Sequence, residues 1–254
     1  MRAISLVSGK GGVGKTTTAV NLGIALNMLG KEVIIVDGNV STPNVGLSLG
    51  APVVPFALQH ALLDKRKVEK AIYVHDSGTK IIPSSFSFRD EVQLKNLKGV
   101  ISKAKSIGDL VIIDSAAGIN EEVMHTINAS DECIIVTNPE MLAVSTALKA
   151  IRKVEERDKK ILGIIVNKVT GKNEMTIRNV SKLLEYPIIG VVPEDKKVKR
   201  SLINKEPVII SYPHSRAARE FKQIARHIIG KGRNDTHVGN ALSNVKDFIS
   251  GLAK

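Results

Sequence analysis

Short, near-continuous apolar runs recur along the chain, separated by longer stretches with helical spacing. Residues 4–7, 33–36, 80–82, 110–113, 133–136, 161–166 and 187–192 are the runs, rich in Ile and Val. Such runs suit strands covered on both faces. The intervening stretches read as helices over 17–28 and about 89–106, 121–128, 140–156, 174–184 and 214–229. In the first of these, Ala19, Leu22, Ile24, Ala25, Leu26 and Leu29 supply the apolar face. The alternating order predicts an α/β fold, a doubly wound, mostly parallel sheet with helices on both faces and right-handed crossovers. A ligand then belongs past the carboxyl ends of the strands.

The 254 residues and 43% hydrophobic content fit one such domain, over 1–229. Residues 230–237 are polar and glycine-containing and read as a linker, leaving 238–254 as a separate segment. The single cysteine, Cys133, excludes a disulfide framework and an all-cysteine metal or iron–sulfur site within one chain. It lies inside an apolar run and reads as a core thiol. No leader fits ahead of residue 9, and no apolar run approaches the roughly 18 residues of a membrane span. A cytoplasmic protein, at most peripherally membrane-bound, is expected.

The formal charge is +12, with basic clusters at 152–160, 196–200, 216–226 and 231–233. That field favours anions: nucleotide, acidic membrane or nucleic acid. Aromatics make up only 3% and there is no Trp, which argues against stacking platforms for single-stranded nucleic acid.

The chemistry concentrates at residues 9–16, Gly9-Lys10-Gly11-Gly12-Val13-Gly14-Lys15-Thr16. This is the phosphate-cradling pattern G-x-x-x-x-G-K-[ST], with a strand before it and a helix after it. The glycines let backbone N–H groups converge on phosphate oxygens at the positive end of a helix. Lys15 can reach the β- and γ-phosphates, and the Thr16 hydroxyl can bind Mg²⁺ directly. Three strand ends add polar residues: Asp37 with Asn39, Asp114 with Ser115, and Thr137-Asn138-Pro139-Glu140. An aspartate at such a place is either a helix N-cap or a holder of Mg²⁺ waters. Two of them beside a phosphate loop favour the metal role for Asp37 and Asp114.

Lys10-Gly11-Gly12-Val13-Gly14-Lys15-Thr16-Thr17 resembles the deviant Walker A ATPases of the MinD/ParA family, P-loop NTPases that carry a second lysine early in the loop. Three further segments extend the likeness over about residues 1–229: 114–118, similar to the family's switch II with Ala116 in place of proline; Val136-Thr137-Asn138-Pro139-Glu140, similar to MinD-type members; and 165–168 with 192–195, similar to the adenine-side elements. The resemblance implies ATP and Mg²⁺ as ligands, with Gly11, Gly12, Val13, Gly14, Lys15, Thr16 and Thr17 around the phosphates. It also implies that Asn167, Pro193 and Glu194 sit near the base, and that Lys10 reaches across a homodimer to the partner's nucleotide. Read alone, Lys10 is one solvated lysine among many; its place inside the loop favours the second role.

One departure stands out. The family's switch I usually reads Asp-x-Asp, the second Asp orienting the attacking water, and here that position is Asn39. An amide oxygen can hold a water but brings no charge to assist proton loss. Phosphoryl transfer depends mainly on positioning and charge stabilisation, so a slow ATPase is expected, with Lys10, Lys15 and Asn39 as its catalytic residues.

In the last segment, Val238, Ala241, Leu242, Val245, Phe248, Ile249 and Leu252 fall within an arc of roughly 120° on a helix. This amphipathic C-terminal helix is either an interfacial membrane anchor, as the resemblance implies, or a helix docked on the core. Its own charge is only about +1, so an acidic membrane would hold it firmly only when two tails act together. The expected function is an ATP-dependent dimerisation switch of the MinD type used for spatial positioning, with an activating or cargo protein as further partner. The alternative is a ParA-like partitioning ATPase binding nonspecific DNA through 196–200 or 216–226.

Overall fold

The computed structural model describes residues 1–50, 54–88 and 91–230. Eight strands form one sheet: β1 (Arg2–Val7), β2 (Val33–Asp37), β3 (Tyr73–Val74), β4 (Lys80–Ile82), β5 (Leu110–Asp114), β6 (Glu132–Thr137), β7 (Lys160–Val169) and β8 (Ile188–Pro193), in the order β3-β4-β2-β5-β1-β6-β7-β8. Every pairing is parallel except β3 with β4. The helices are α1 (Lys15–Met28), α2 (Val45–Ser48), α3 (Leu58–Leu63), α4 (Leu97–Lys105), α5 (Glu121–Ala129), α6 (Met141–Glu155), α7 (Ile177–Leu184), α8 (Lys196–Ile203), α9 (Val208–Ser211) and α10 (Arg216–Ile228).

The strand runs are apolar at nearly every position because alternate side chains enter different cores. Ile4, Ile35, Ile112, Ile134 and Ile165 point to the side covered by α1 and α10, where Leu22, Ile24 and Phe221 meet them. Their neighbours Val36, Val111 and Ile113 pack with Val100 and Ile101 of α4, and Cys133 and Ile135 pack with Val144 and Ile151 of α6. The predicted core thiol is therefore confirmed: Cys133 is buried, and burial pushes its pKa up to about 11.

Differences from the sequence reading lie at element edges and in short elements it did not give, among them β3, α2, α3, α8 and α9. The stretch predicted as a helix from 89 becomes α-helical only at Leu97, after a 3₁₀ turn at Leu94–Asn96; its residues 89 and 90 lie outside the described part. The helix of 174–184 begins at Ile177, where Thr176 caps it by accepting the Asn179 N–H. The first helix starts at Lys15, two residues early, because its cap is the last glycine of the phosphate loop. The basic run 196–200, read as a charge cluster, is α8, capped by Asp195. The linker beyond Gly230 and the tail 238–254 lie outside the described residues. Among those described, no helix is long and apolar enough to cross a membrane.

Candidate functional site

The loop between β1 and α1 is shaped by close contacts that only glycine allows. A Cβ on Gly9 would stand 2.1 Å from the Thr146 carbonyl oxygen, so α6 lies directly on the backbone at the front of the loop. Gly14 has φ +91°, and a Cβ there would fall 2.1 Å from Asn167 Nδ2. The loop carbonyls are drawn to the end of β7: Asn167 Nδ2 donates to Val13 O at 2.8 Å and Lys168 Nζ to Gly12 O at 2.7 Å. In a trans peptide the following N–H points the other way. The loop therefore presents the N–H groups of Val13 and Gly14 away from β7, just ahead of the unpaired N–H groups of the first turn of α1.

Beneath the loop lies a charge cluster. Lys15 Nζ is 2.8 Å from Asp114 Oδ1 and also donates to the Ser115 carbonyl. Thr16 Oγ1 donates to Asp114 Oδ2 at 2.5 Å, which leaves the hydroxyl lone pairs turned from the carboxylate and open to a cation. Asp37, level with Asp114 on the neighbouring strand, has no exposure. Its Oδ2 accepts the N–H groups of Asn44 and Val45 at 3.0 Å each, so it caps α2, and its Oδ1 accepts the Asn39 N–H at 3.3 Å. The helix-capping reading of this aspartate is therefore the one the hydrogen bonds bear out. Burial, and then the negative charge of Asp114, push its pKa up to about 8. Two buried carboxylates against one buried ammonium leave one negative charge uncompensated. The cluster is completed either by a proton on Asp37 or by a cation, and a hard cation with oxygen ligands fits Thr16, Asp114 and Asp37.

Asn39 is turned toward its own loop. Its Nδ2 donates to Thr42 O at 2.6 Å, and its Oδ1 accepts the Thr42 N–H and hydroxyl at 3.2 and 3.1 Å. The amide therefore braces the loop that carries it.

A cavity of about 560 Å³ opens over this floor at the carboxyl ends of the strands, as the topology predicts. Lys10, Gly12, Val13, Gly14, Lys15, Thr16, Thr17, Asn39, Asn167, Pro193 and Glu194 reach its wall. Gly11 does not; it lies against Ala117 of the loop after β5. Asp37 and Asp114 lie buried under the lining. The sequence reading missed the far wall, Val198, Lys199 and Leu202 of α8, where Lys199 pairs with Glu194 at 3.0 Å. The signal was present: an Asp195 cap followed by apolar residues at 198 and 202, obscured by four basic residues on the same helix.

Lys10 stands apart from the floor. Its Nζ is 2.8 Å from Glu140 Oε2 at the rim, and this contact holds the Glu140 carboxyl below the usual carboxylate range. The next two residues, Met141 and Leu142, are 66% and 62% exposed.

Comparison with known proteins places this geometry. Residues 4–208 match the family model described as the CobQ/CobB/MinD/ParA nucleotide binding domain. The chain is 35% identical over 253 residues to an uncharacterised ATP-binding protein of Methanocaldococcus jannaschii, covering 98% of this chain and 96% of that one. It is 33% identical over 240 residues to the septum site-determining protein MinD of Synechocystis, covering 91% and 90%. The solved structure of MinD with Mg-ADP from Pyrococcus horikoshii superposes with a TM-score of 0.83 at 30% identity, over 89% of this chain and 95% of that one. Phosphate loop, paired strand-end aspartates and matched sequence agree: this chain belongs to the MinD/ParA family of P-loop nucleotide-binding ATPases.

Proposed function

We propose that the protein is an ATP-driven dimerisation switch of the MinD type. The observation that carries this reading is the position of Lys10. It sits in the phosphate loop yet turns outward to the rim, paired with Glu140 and flanked by the exposed Met141 and Leu142. A lysine serving its own nucleotide belongs with Lys15 on the floor. One at the rim beside uncovered apolar side chains suits a face that closes on a second copy. In the closed dimer each Lys10 adds positive charge to the nucleotide of the other subunit. Lys15, Thr16 and the N–H groups of the loop bind the triphosphate. Thr16 directly, and Asp37 and Asp114 through water, would hold Mg²⁺, which would supply charge neutralisation for phosphoryl transfer. To hold the attacking water the Asn39 amide would have to leave Thr42, and it brings no charge to take the proton, which makes turnover slow.

In this reading dimer formation brings two tails, 238–254, onto one acidic membrane surface, and hydrolysis releases them to the cytoplasm. The switch positions a cellular structure such as the division site, with an activating or cargo protein reading its state.

The test is mass in solution with magnesium and either ADP or ATP. ATP should double the mass and ADP should not, and Lys10→Ala should abolish the doubling. Vesicles of acidic lipid should then retain the full chain, but not one ending at Gly230, in ATP only. Equal retention of both chains removes the membrane step. Salt-sensitive, ATP-dependent retention of duplex DNA instead would favour a partitioning role.

A further inference from the structure

The loop after β2 is gripped from outside by one side chain of α5. Glu122, in the first turn of that helix, is 7% exposed. Its Oε1 accepts the backbone N–H of Val40 and, at 3.0 Å, that of Ser41; its Oε2 accepts the Ser41 hydroxyl at 2.9 Å. Among the described residues no cation pairs with it, so the carboxylate is held by these donors. Val40 and Ser41 directly follow Asn39. On the other side of Asn39, one turn along α5, Thr126 supports Gly38: a Cβ at position 38 would stand 2.9 Å from Thr126 Cγ2. Glu122 and Thr126 are four apart and share a helix face, so α5 holds the loop on both sides of Asn39.

The start of α5 belongs to the other loop of the site. Asn120 caps it by accepting the Val123 N–H at 3.0 Å, and Gly118 N–H donates to Ser8 O, in the phosphate loop, at 3.0 Å. A shift of the loop 114–118 must therefore move the head of α5, and Glu122 carries that shift to the peptide beside Asn39.

We infer that Glu122 is a positioning residue for hydrolysis, a latch that makes the placement of Asn39 follow the loop that ends β5. The inference rests on reading this site as an ATPase. Glu122→Gln removes the negative charge that binds the two backbone N–H groups and puts an N–H₂ group against the Ser41 hydroxyl, which weakens the latch; Glu122→Asp keeps the acceptor charge. Single-turnover hydrolysis of magnesium–ATP, magnesium–ADP affinity and amide exchange over 38–44 are measured for the full chain. Glu122→Gln should leave ADP affinity within about twofold yet slow hydrolysis about tenfold or more, as loss of positioning does. Exchange at Val40 and Ser41 should accelerate, and Glu122→Asp should recover part of the rate. Unchanged hydrolysis overturns the inference. So does a parallel fall in affinity and rate that Glu122→Asp does not reverse, since that marks a merely structural role. If the wild type itself turns over no ATP, the ATPase reading has failed, and exchange decides the latch. Extra protection of 38–44 in ATP over ADP, lost in Glu122→Gln, then supports it; protection unaltered by the substitution, or absent, overturns it.

Discussion

Asp37 and Asp114 are register partners at the carboxyl ends of β2 and β5, both without solvent exposure, and only Asp114 has a lysine beside it. The pair cannot hold two full charges in the absence of a cation. Asp37 takes the proton, with a pKa raised from 3.8 to about 8. A carboxyl whose folded pKa is raised favours the fold most below its unfolded value, and that advantage is lost as pH climbs through the folded value. Between about pH 4 and pH 8 the slope approaches roughly 1.4 kcal/mol per pH unit for one proton. Asp37→Asn should therefore gain melting temperature over the wild type without magnesium, by a margin that widens from pH 6 to pH 8. Magnesium–nucleotide binding at pH 7 should release a proton, seen by calorimetry in two buffers of different ionisation enthalpy. A margin independent of pH would show Asp37 already ionised.

Thr16 gives its proton to Asp114, which leaves its lone pairs open. Thr16→Ala should leave ADP affinity in EDTA almost unchanged while removing most of the gain that magnesium brings. If magnesium strengthens binding equally in both proteins, the hydroxyl is no metal ligand.

Asn39 spends both ends of its amide on Thr42. In Asn39→Asp the donor to the Thr42 carbonyl is lost and a carboxylate oxygen is repelled from it, toward the cavity. Phosphate release should rise by about a hundredfold, the lower end of the range for an added general base, with a small loss of thermal stability. Equal rates in the two proteins under dimerising conditions would mean that residue 39 does not position the water.

Cys133 lies in the central sheet with its thiol pushed up to about 11 by burial. At pH 8 the native protein should resist a thiol reagent, and labelling should follow opening of the core. Saturating magnesium–ADP should slow it further, by linkage. Rapid labelling of the folded protein at a rate independent of nucleotide would contradict this packing.

The strands were legible because a sheet covered on both faces needs apolar residues at consecutive positions, as at 110–113 and 133–136. The phosphate loop and the two aspartates were legible because each sits at a strand end, where chain order alone implies the site. Other parts were hidden for specific reasons. The strand Tyr73–Val74 has two residues, too few for a period, and pairs only because β4 lies beside it. In α8, basic residues masked an apolar stripe that faces the cavity. Glu122 reads in sequence as the first turn of an acidic helix start; only the fold brings it to Val40, 82 residues away. Contacts between distant segments leave no local pattern.

If each subunit completes its neighbour's site with Lys10, energy transfer between labelled copies will report it. Lys10→Ala copies retain a nucleotide site but lend no charge; Lys15→Ala copies lend the charge but lose the Lys15 contact with nucleotide. With ATP and magnesium, donor- and acceptor-labelled wild type should pair. Neither variant should pair with itself, and the two mixed together should recover part of the signal. Lys10→Ala copies that pair among themselves as readily as the wild type would contradict the account.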